Sequence, residues 1–151
     1  MATQPPDSPG QPRGSGDLVS CPFCDLDASR VAASNDLALA VLDAYPVNPG
    51  HTLIVPRRHV ASWFEATTDE RAALVALLDE VKQDLDRRFS PAGYNIGINA
   101  GEAAGQTVMH LHVHLIPRFR GDVDDPRGGV RFVIPERGNY RRPGHVLRAK
   151  A

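Results

Sequence analysis

Three histidines at a spacing of two, His110, His112 and His114, are the strongest chemical feature of the sequence. Apolar residues fill the positions between and after them. This alternation predicts a β-strand over 110–116, with the imidazoles about 6.6–7 Å apart on one face and the other face on a core. Imidazole titrates near neutral pH and can act as a nucleophile, an acid or a base.

A glycine-bounded loop leads into this segment. Gly105 closes the loop, Gln106 and Thr107 add side-chain donors, and Asn99 precedes it with an amide. Backbone N–H groups in such loops can cradle an anion. An anion site beside imidazoles predicts phosphoryl or nucleotidyl transfer. A metal is the alternative, because histidines alternating on a strand can hold zinc, and that zinc would then be catalytic.

Length and charge limit the class of protein. The chain has 151 residues and a formal net charge of −1, which fits one domain and argues against a nucleic-acid partner. It contains neither an apolar run long enough to span a membrane nor an apolar leader, so we predict a cytoplasmic location. Residues 1–19 are rich in Pro, Gly and Ser, which predicts a disordered tail. We assign the domain to 20–138 and a loose tail to 139–151.

Hydrophobic patterning predicts an α+β fold. Strands are predicted at 37–43, 51–56, 94–99 and 110–116, and one long helix at 68–89. Thr67 and Glu70 have the spacing of a capping box at the helix start. Trp63 and Phe64, just before the helix, are expected to pack under it. The first two strands should form a hairpin. The expected architecture is an antiparallel sheet with the helix packed on one face.

The segment after the histidines is basic and rich in glycine. The arginines of 118–131 could contact distal phosphates or belong to a solvated loop. Residues 131–135 are predicted to form a short edge strand.

The only two cysteines form a Cys-x-x-Cys pair, Cys21 and Cys24. A disulfide is disfavoured in a cytosolic protein. The pair is therefore either half of a tetrahedral zinc site or two free thiols.

Two stretches together resemble a known family. Gly-Gln-Thr-Val at 105–108 followed by the alternating histidines, and Asn-Pro-Gly-His-Thr-Leu-Ile-Val-Pro-Arg-Arg-His at 48–59, are similar to the signatures of the histidine triad (HIT) nucleotide hydrolases and transferases. The resemblance covers roughly 21–120. It implies a HIT-like sheet that is extended by dimerisation, and hence a homodimer.

The resemblance also implies roles for single residues. His112 would be the nucleophile and would form a nucleotidyl-histidine intermediate, while His114, supported by His51, would assist the leaving group. Asp43 would bind the ribose hydroxyls. The α-phosphate would lie against Asn99, Gly105, Gln106 and Thr107.

Bacterial members of the family join a cysteine pair to two histidines on zinc. The matching positions here are Cys21, Cys24, His59 and His110. Such a closed set of four ligands would be structural, since it leaves no open coordination position. No catalytic metal is then required, although the substrate could arrive as a magnesium complex.

The continuation Pro-Arg at 117–118 and Gly-Asp at 121–122 resembles the dinucleoside polyphosphate hydrolase branch. A histidine at the third triad position, rather than glutamine, favours hydrolysis. The resemblance therefore implies cleavage at the α-phosphate of a dinucleoside polyphosphate, such as a diadenosine polyphosphate, with release of a nucleoside monophosphate. A phosphoramidase, a phosphorylase and a nucleotide-binding regulatory protein with little turnover are the alternatives.

Overall fold

The computed structural model describes residues 20–139 as a five-stranded sheet with one long helix. The strands are β1 (Val31–Ser34), β2 (Ala38–Leu42), β3 (Thr52–Pro56), β4 (Gly93–Gly97) and β5 (Val113–Arg118). The long helix is α1 (Thr68–Phe89), and a short α2 (Pro135–Gly138) ends the described part. The predicted tail at 1–19 lies outside the described residues, as does 140–151.

All strand pairs are antiparallel, in the spatial order β1-β2-β3-β5-β4. The α+β architecture and the β2–β3 hairpin are therefore confirmed. Strand β1 was missed, because its four residues, Val-Ala-Ala-Ser, are mostly small and lack a strong apolar alternation. The segment forms a strand because it pairs with β2, with a shift in register between Val31 and Ala33.

Helix α1 begins and ends where the sequence predicted. The Thr67 side chain accepts from the Glu70 N–H, and the Glu70 carboxylate accepts from the Thr67 N–H, which completes the capping box. Arg58 also donates two hydrogen bonds to Glu70, at 2.7 and 2.8 Å. These contacts, led by the Arg58 guanidinium, lower the pKa of Glu70 to about 2. The same carboxylate thus anchors both the helix start and the segment after β3.

We expect Glu70→Ala to lower the free energy of unfolding by about 1–2 kcal/mol, the range for losing a helix cap. Glu70→Gln can still form the capping box, so it should lose less. Urea denaturation at pH 7 measures both. Because folding lowers the pKa of Glu70, its contribution is full above the unfolded pKa and disappears as the pH falls toward 2. Equal stability of all three proteins at pH 7 would contradict this role.

The sheet separates two apolar clusters. The larger one lies between the sheet and α1 and includes Leu74, Leu77 and Leu85 from the helix. The smaller one contains Phe23, Val41, Leu53 and Val55. Alternation along β2 and β3 sends neighbouring side chains to opposite faces, so the second cluster covers the face away from α1. The N-terminal cysteine segment packs on that second face.

Two local predictions were wrong. Residues 131–135 do not form a strand: Gly129–Val133 is a 3₁₀ helix, followed directly by α2. Gly128 and Gly129 adopt φ values of 101° and 48°, and Pro135 starts α2, so the local backbone turns instead of extending. Phe64, expected to pack under α1, is 81% exposed. Within the described residues, no helix is both long and apolar enough to cross a membrane.

Candidate active site

The histidine segment is only partly a strand. Of the three histidines, only His114 lies within β5, whereas His110 and His112 precede it. Leu111 pairs instead with Val60, through a backbone hydrogen bond of 2.6 Å. The predicted apolar face is nevertheless present, since Leu111, Val113 and Leu115 are all buried.

Strand pairing brings two histidines together. His114 lies opposite Leu53 of β3, and His51 directly precedes β3. His51 Nε2 is 3.0 Å from His114 Nδ1. His51 is also buried, with 4% of its surface exposed. The structure therefore places His51 against the triad, where the sequence resemblance expected it.

The loop between β2 and β3 determines which nitrogen of His51 carries the proton. The Val47 N–H donates to His51 Nδ1 at 3.3 Å. His51 Nε2 must then carry the hydrogen of the neutral ring and donate it to His114 Nδ1. Asp43 Oδ2 lies 3.5 Å from the same Nε2, and Asp43 Oδ1 accepts from the Tyr45 N–H. This arrangement leaves His114 Nε2 as the protonated nitrogen that is available to a ligand.

His112 has the opposite tautomer. Its Nδ1 lies 2.8 Å from the His110 carbonyl oxygen, an acceptor only, so Nδ1 donates. The neutral ring then has a free lone pair on Nε2. The rings of His112 and His114 are 5.1 Å apart between centroids, at an angle of 72°. A nucleophilic nitrogen and an N–H donor are thus neighbours on one face of the sheet.

Burial keeps the supporting pair neutral. It lowers the pKa of His114 to about 4, assisted by the nearby imidazoles of His112 and His51. Burial also lowers the pKa of His51, while the Asp43 carboxylate opposes that shift. Near neutral pH both rings can therefore serve as uncharged hydrogen-bonding groups.

These shifts predict acid destabilisation. Unfolded histidine has a pKa near 6.5, so between about pH 6.5 and 4 the unfolded chain binds more protons than the folded one. The free energy of unfolding should fall as the pH is lowered through this window. His114→Asn should reduce the loss between pH 7 and pH 5, measured by urea denaturation at saturating zinc. An identical loss in wild type and variant would contradict the lowered pKa of His114.

The glycine loop differs from its prediction at Gln106. Both ends of this buried side chain are used within the protein: Oε1 accepts from the Gly101 N–H, and Nε2 donates to the carbonyls of Ala61 and Val108. Gln106 therefore holds the loop in shape. It is not the free side-chain donor that the sequence had suggested. The N–H groups of Gly105 and Gln106 bond to carbonyls of the same loop.

Two other predicted donors remain available. Among residues 20–139, the side chains of Asn99 and Thr107 form no hydrogen bond of their own, and both flank the loop. Thr107 is exposed and Asn99 is half-buried. They are the loop groups best able to meet an anion.

The second group of predicted residues also comes together. Cys21, Cys24, His59 and His110 place one ligand atom each within 4.8 Å of one another. Cys21 Sγ and Cys24 Sγ lie 3.4 and 3.7 Å from His110 Nδ1, and Cys24 Sγ lies 3.3 Å from His59 Nδ1. His110 Nε2 donates to the Pro56 carbonyl at 2.9 Å, which leaves Nδ1 unprotonated. Burial lowers the pKa of His110 and so favours this neutral ring.

Phe23 is a site residue that sequence reasoning missed. It lies inside the Cys-x-x-Cys segment, and its ring is 5.7 Å from that of His110 and 5.4 Å from that of His112. The cysteine cluster and the His112 ring therefore share one buried aromatic neighbour, Phe23. The only available signal was its position between the two cysteines.

The fold and the site define an α+β protein built around the paired histidines His51 and His114, with His112 beside them. Residues 27–121 match the family model described as the HIT domain, about two thirds of the chain. The chain belongs to the HIT domain family.

Three similar proteins bear on its function. An AP-4-A phosphorylase of Mycobacterium tuberculosis is 36% identical over 118 residues, which cover 78% of this chain and 58% of that protein. An asymmetrical bis(5'-nucleosyl)-tetraphosphatase of Schizosaccharomyces pombe is 38% identical over 97 residues, covering 64% and 53%. The crystal structure of a Zn-bound histidine triad family protein from Mycobacterium smegmatis aligns with a TM-score of 0.62 and 31% identity, covering 76% and 90%.

Proposed function

We propose that the protein is a nucleotide hydrolase that cleaves dinucleoside polyphosphates, or related nucleotide conjugates, at the α-phosphate. One observation carries the proposal: the His112 Nδ1–H is held by the His110 carbonyl, which frees Nε2 beside His114. The similarity to two proteins named for activity on such compounds supports the substrate class.

In the first step, the His112 Nε2 lone pair attacks the α-phosphorus. A phosphorus–nitrogen bond forms, and the bond to the bridging oxygen of the leaving group breaks, with its electron pair going to that oxygen. The His114 Nε2–H, oriented by His51, donates to this region and stabilises the developing charge. Forming a covalent intermediate divides one difficult displacement into two easier ones.

In the second step, a water oxygen attacks the same phosphorus and the bond to His112 breaks. The attacking water releases its proton to the solvent, the electron pair of the broken bond returns to Nε2 of the neutral His112 ring, and the nucleoside monophosphate leaves. Asn99 and Thr107 would donate to the phosphoryl oxygens. Asp43 can accept from the ribose hydroxyls with the lone pairs that Tyr45 does not use. Gln106 would act only by holding the loop in shape.

A panel of substrates tests this proposal. Wild-type protein would be incubated with diadenosine polyphosphates and with an adenosine phosphoramidate, each with and without inorganic phosphate, and the products separated by chromatography. Release of AMP without added phosphate is expected. Release of ADP only when phosphate is present would identify a phosphorylase, as the similarity to the AP-4-A phosphorylase allows. Preference for the phosphoramidate would identify a phosphoramidase, and no turnover would favour a binding protein.

We also propose that Cys21, Cys24, His59 and His110 hold a structural zinc ion. Ligand atoms 2.0–2.3 Å from a tetrahedral ion lie about 3.3–3.8 Å apart, which the sulfur–nitrogen distances of 3.3–3.7 Å match. The hydrogen bond from His110 to the Pro56 carbonyl is the outer-shell contact that fixes a ligating ring. With four protein ligands the ion would supply structural stability and no reacting group.

Homodimerisation is proposed through the β4 edge of the sheet. Among the strands of residues 20–139, β4 pairs only with β5, so its other side offers backbone groups that no described strand pairs. Ile96 of β4 and Val75 of α1 are half exposed and line a shared apolar cavity of about 270 Å³. A second copy that covers this surface would join two sheets into one.

We expect a dimer in sedimentation velocity measurements, and Ile96→Lys should shift it to a monomer by placing a charge in the interface. Leu37→Lys is the matched control, because Leu37 is 39% exposed but directly precedes β2, away from β4. A dimer that is unaffected by Ile96→Lys but disrupted by Leu37→Lys would contradict an interface at β4.

A further inference from the structure

A groove follows the last two strands beyond His114, on the face away from α1. His114, Ile116 and Arg118 alternate along β5 and therefore point to the same side. In the antiparallel pairing with β4, they lie opposite Gly97, Asn95 and Gly93. Residues opposite one another share a face, so these six positions form one continuous floor. Arg118 lies about 13 Å from His114, at four residues along the strand.

Glycines keep both ends of this floor open. A Cβ added at Gly93 or at Gly97 would have no heavy atom within 4 Å, and neither residue has a positive φ. Glycine within a strand is otherwise unfavourable, and it often marks the close approach of a ligand or another backbone. The two positions are therefore not explained by backbone strain or by crowding.

Two adjoining cavities occupy the groove. One, of about 270 Å³, lies against Val47, Asn48 and Ile116. The other, of about 510 Å³, lies against Gly93, Tyr94, Phe119 and Arg120. They share the residues Asn95, Arg118, Asp122 and Val123. The combined space begins beside Ile116, the next residue after His114 on this face.

The shared wall is rigid and close to neutral. Arg118 donates two hydrogen bonds to Asp122, at 2.7 and 2.8 Å, and a third to Asn95. Asn48 donates to Asp122 and to the Pro117 carbonyl, both at 2.9 Å. The ion pair cancels the charge of Arg118, although its guanidinium retains unused N–H groups. A bulky polyanion is therefore not the best match for this wall.

The far cavity suits an aromatic and polar group. The half-buried Phe119 ring and the Asn95 amide line it together with Asp124, while Arg120 is exposed at its rim. Nucleobases stack on aromatic rings, amides bond their edges, and carboxylates accept from ribose hydroxyls. We propose that this groove, the leaving-group groove, binds the second nucleoside of the dinucleoside polyphosphate, the one that departs with the leaving phosphates. This inference rests on the proposed function.

The site thus has two halves with different roles. The nucleoside that becomes attached to His112 is held at Asp43, and the polyphosphate chain passes His114. The departing nucleoside then lies against Phe119. A substrate with a small leaving group would occupy only the first half.

Substrates with large and small leaving groups separate these halves. Both a diadenosine polyphosphate and an adenosine phosphoramidate pass through the same intermediate, and kcat/KM reports the steps up to departure of the leaving group. We expect Phe119→Ala to lower kcat/KM for the diadenosine polyphosphate by between about 5-fold and 100-fold, the range for losing one stacked base. The value for the phosphoramidate should change less than 2-fold, an order-of-magnitude bound since no stacking contact is lost there.

A variant that fills the groove gives a test that is independent of Phe119→Ala. Gly93→Phe puts a ring into open space at a strand position that accepts it, and should weaken turnover of the diadenosine polyphosphate alone. Phe64→Ala is the matched control for Phe119→Ala, because Phe64 is exposed and lines neither cavity. Equal losses for both substrates, or no loss for either, would overturn the groove as a leaving-group site.

Ligand binding to a variant that cannot turn the substrate over tests the groove separately from the hydrolase activity. In a His112→Ala background, calorimetry should find tighter binding of the diadenosine polyphosphate than of AMP, and Phe119→Ala should remove the difference. Absent turnover in the wild type would defeat the proposed hydrolase, yet this difference would still support the groove. Equal affinity for the two ligands would overturn the groove even in an active enzyme.

Discussion

Replacing His112 with alanine is expected to reduce kcat/KM for a diadenosine polyphosphate by about 10⁴-fold or more, the order found when a covalent nucleophile is removed. The reason is the orientation of the ring. Its Nδ1–H is fixed on the His110 carbonyl, so the lone pair of the neutral ring lies on Nε2. No other imidazole in the cluster offers the same group, because His114 Nδ1 accepts from His51 and its Nε2 carries the hydrogen.

The intermediate gives a direct measurement. Substrate labelled at the α-phosphate, mixed briefly with wild-type protein and denatured at alkaline pH, should leave one nucleotidyl group on the chain by intact mass. His112→Ala should leave none. Met109→Ala is the matched control, since Met109 belongs to the same segment but is 48% exposed and lies outside the proposed machinery. Full turnover by His112→Ala would exclude His112 as the nucleophile.

The features that the sequence could predict are encoded locally. Thr67 and Glu70 specify the helix start through two reciprocal hydrogen bonds between residues three apart. The apolar residues beside the histidines specify a buried face, which Leu111, Val113 and Leu115 confirm. The four residues proposed for zinc could be grouped only through the family resemblance, because His59 is 35 residues from Cys24.

The features that it could not predict depend on distant partners. The proton positions in the site follow from the Val47 N–H at His51 and the His110 carbonyl at His112, which only the folded backbone brings into place. In the sequence, Gln106 cannot be distinguished from a ligand-binding amide. In the structure its side chain is hydrogen-bonded to the Gly101 N–H and the Ala61 carbonyl. Residues 131–135 have a strand-like pattern, which the positive φ values of Gly128 and Gly129 override.

Loss of zinc is the second change for which we expect a large effect. Purified protein should contain one zinc ion per chain, and Cys24→Ser should contain none. An ion that binds only the folded state at a free concentration 1,000 times its Kd adds about 4 kcal/mol of stability. For a domain of this size, that corresponds to a fall in Tm of roughly 10–20 °C on its removal. Atomic absorption and calorimetric scans with and without a chelator measure both effects.

Two further variants test where the ion is bound. Asp25→Ala, next to Cys24 and exposed, should keep the metal and the wild-type Tm. His112→Ala should also keep the metal although it loses activity, because His112 Nδ1 is bonded to a carbonyl and its ring is outside the four-ligand cluster. If instead His112→Ala released the ion and Cys24→Ser retained it, the metal would be on the triad. The structural zinc and the nucleophilic role of His112 would then both be wrong, since a ligating Nε2 has no lone pair left to attack phosphorus.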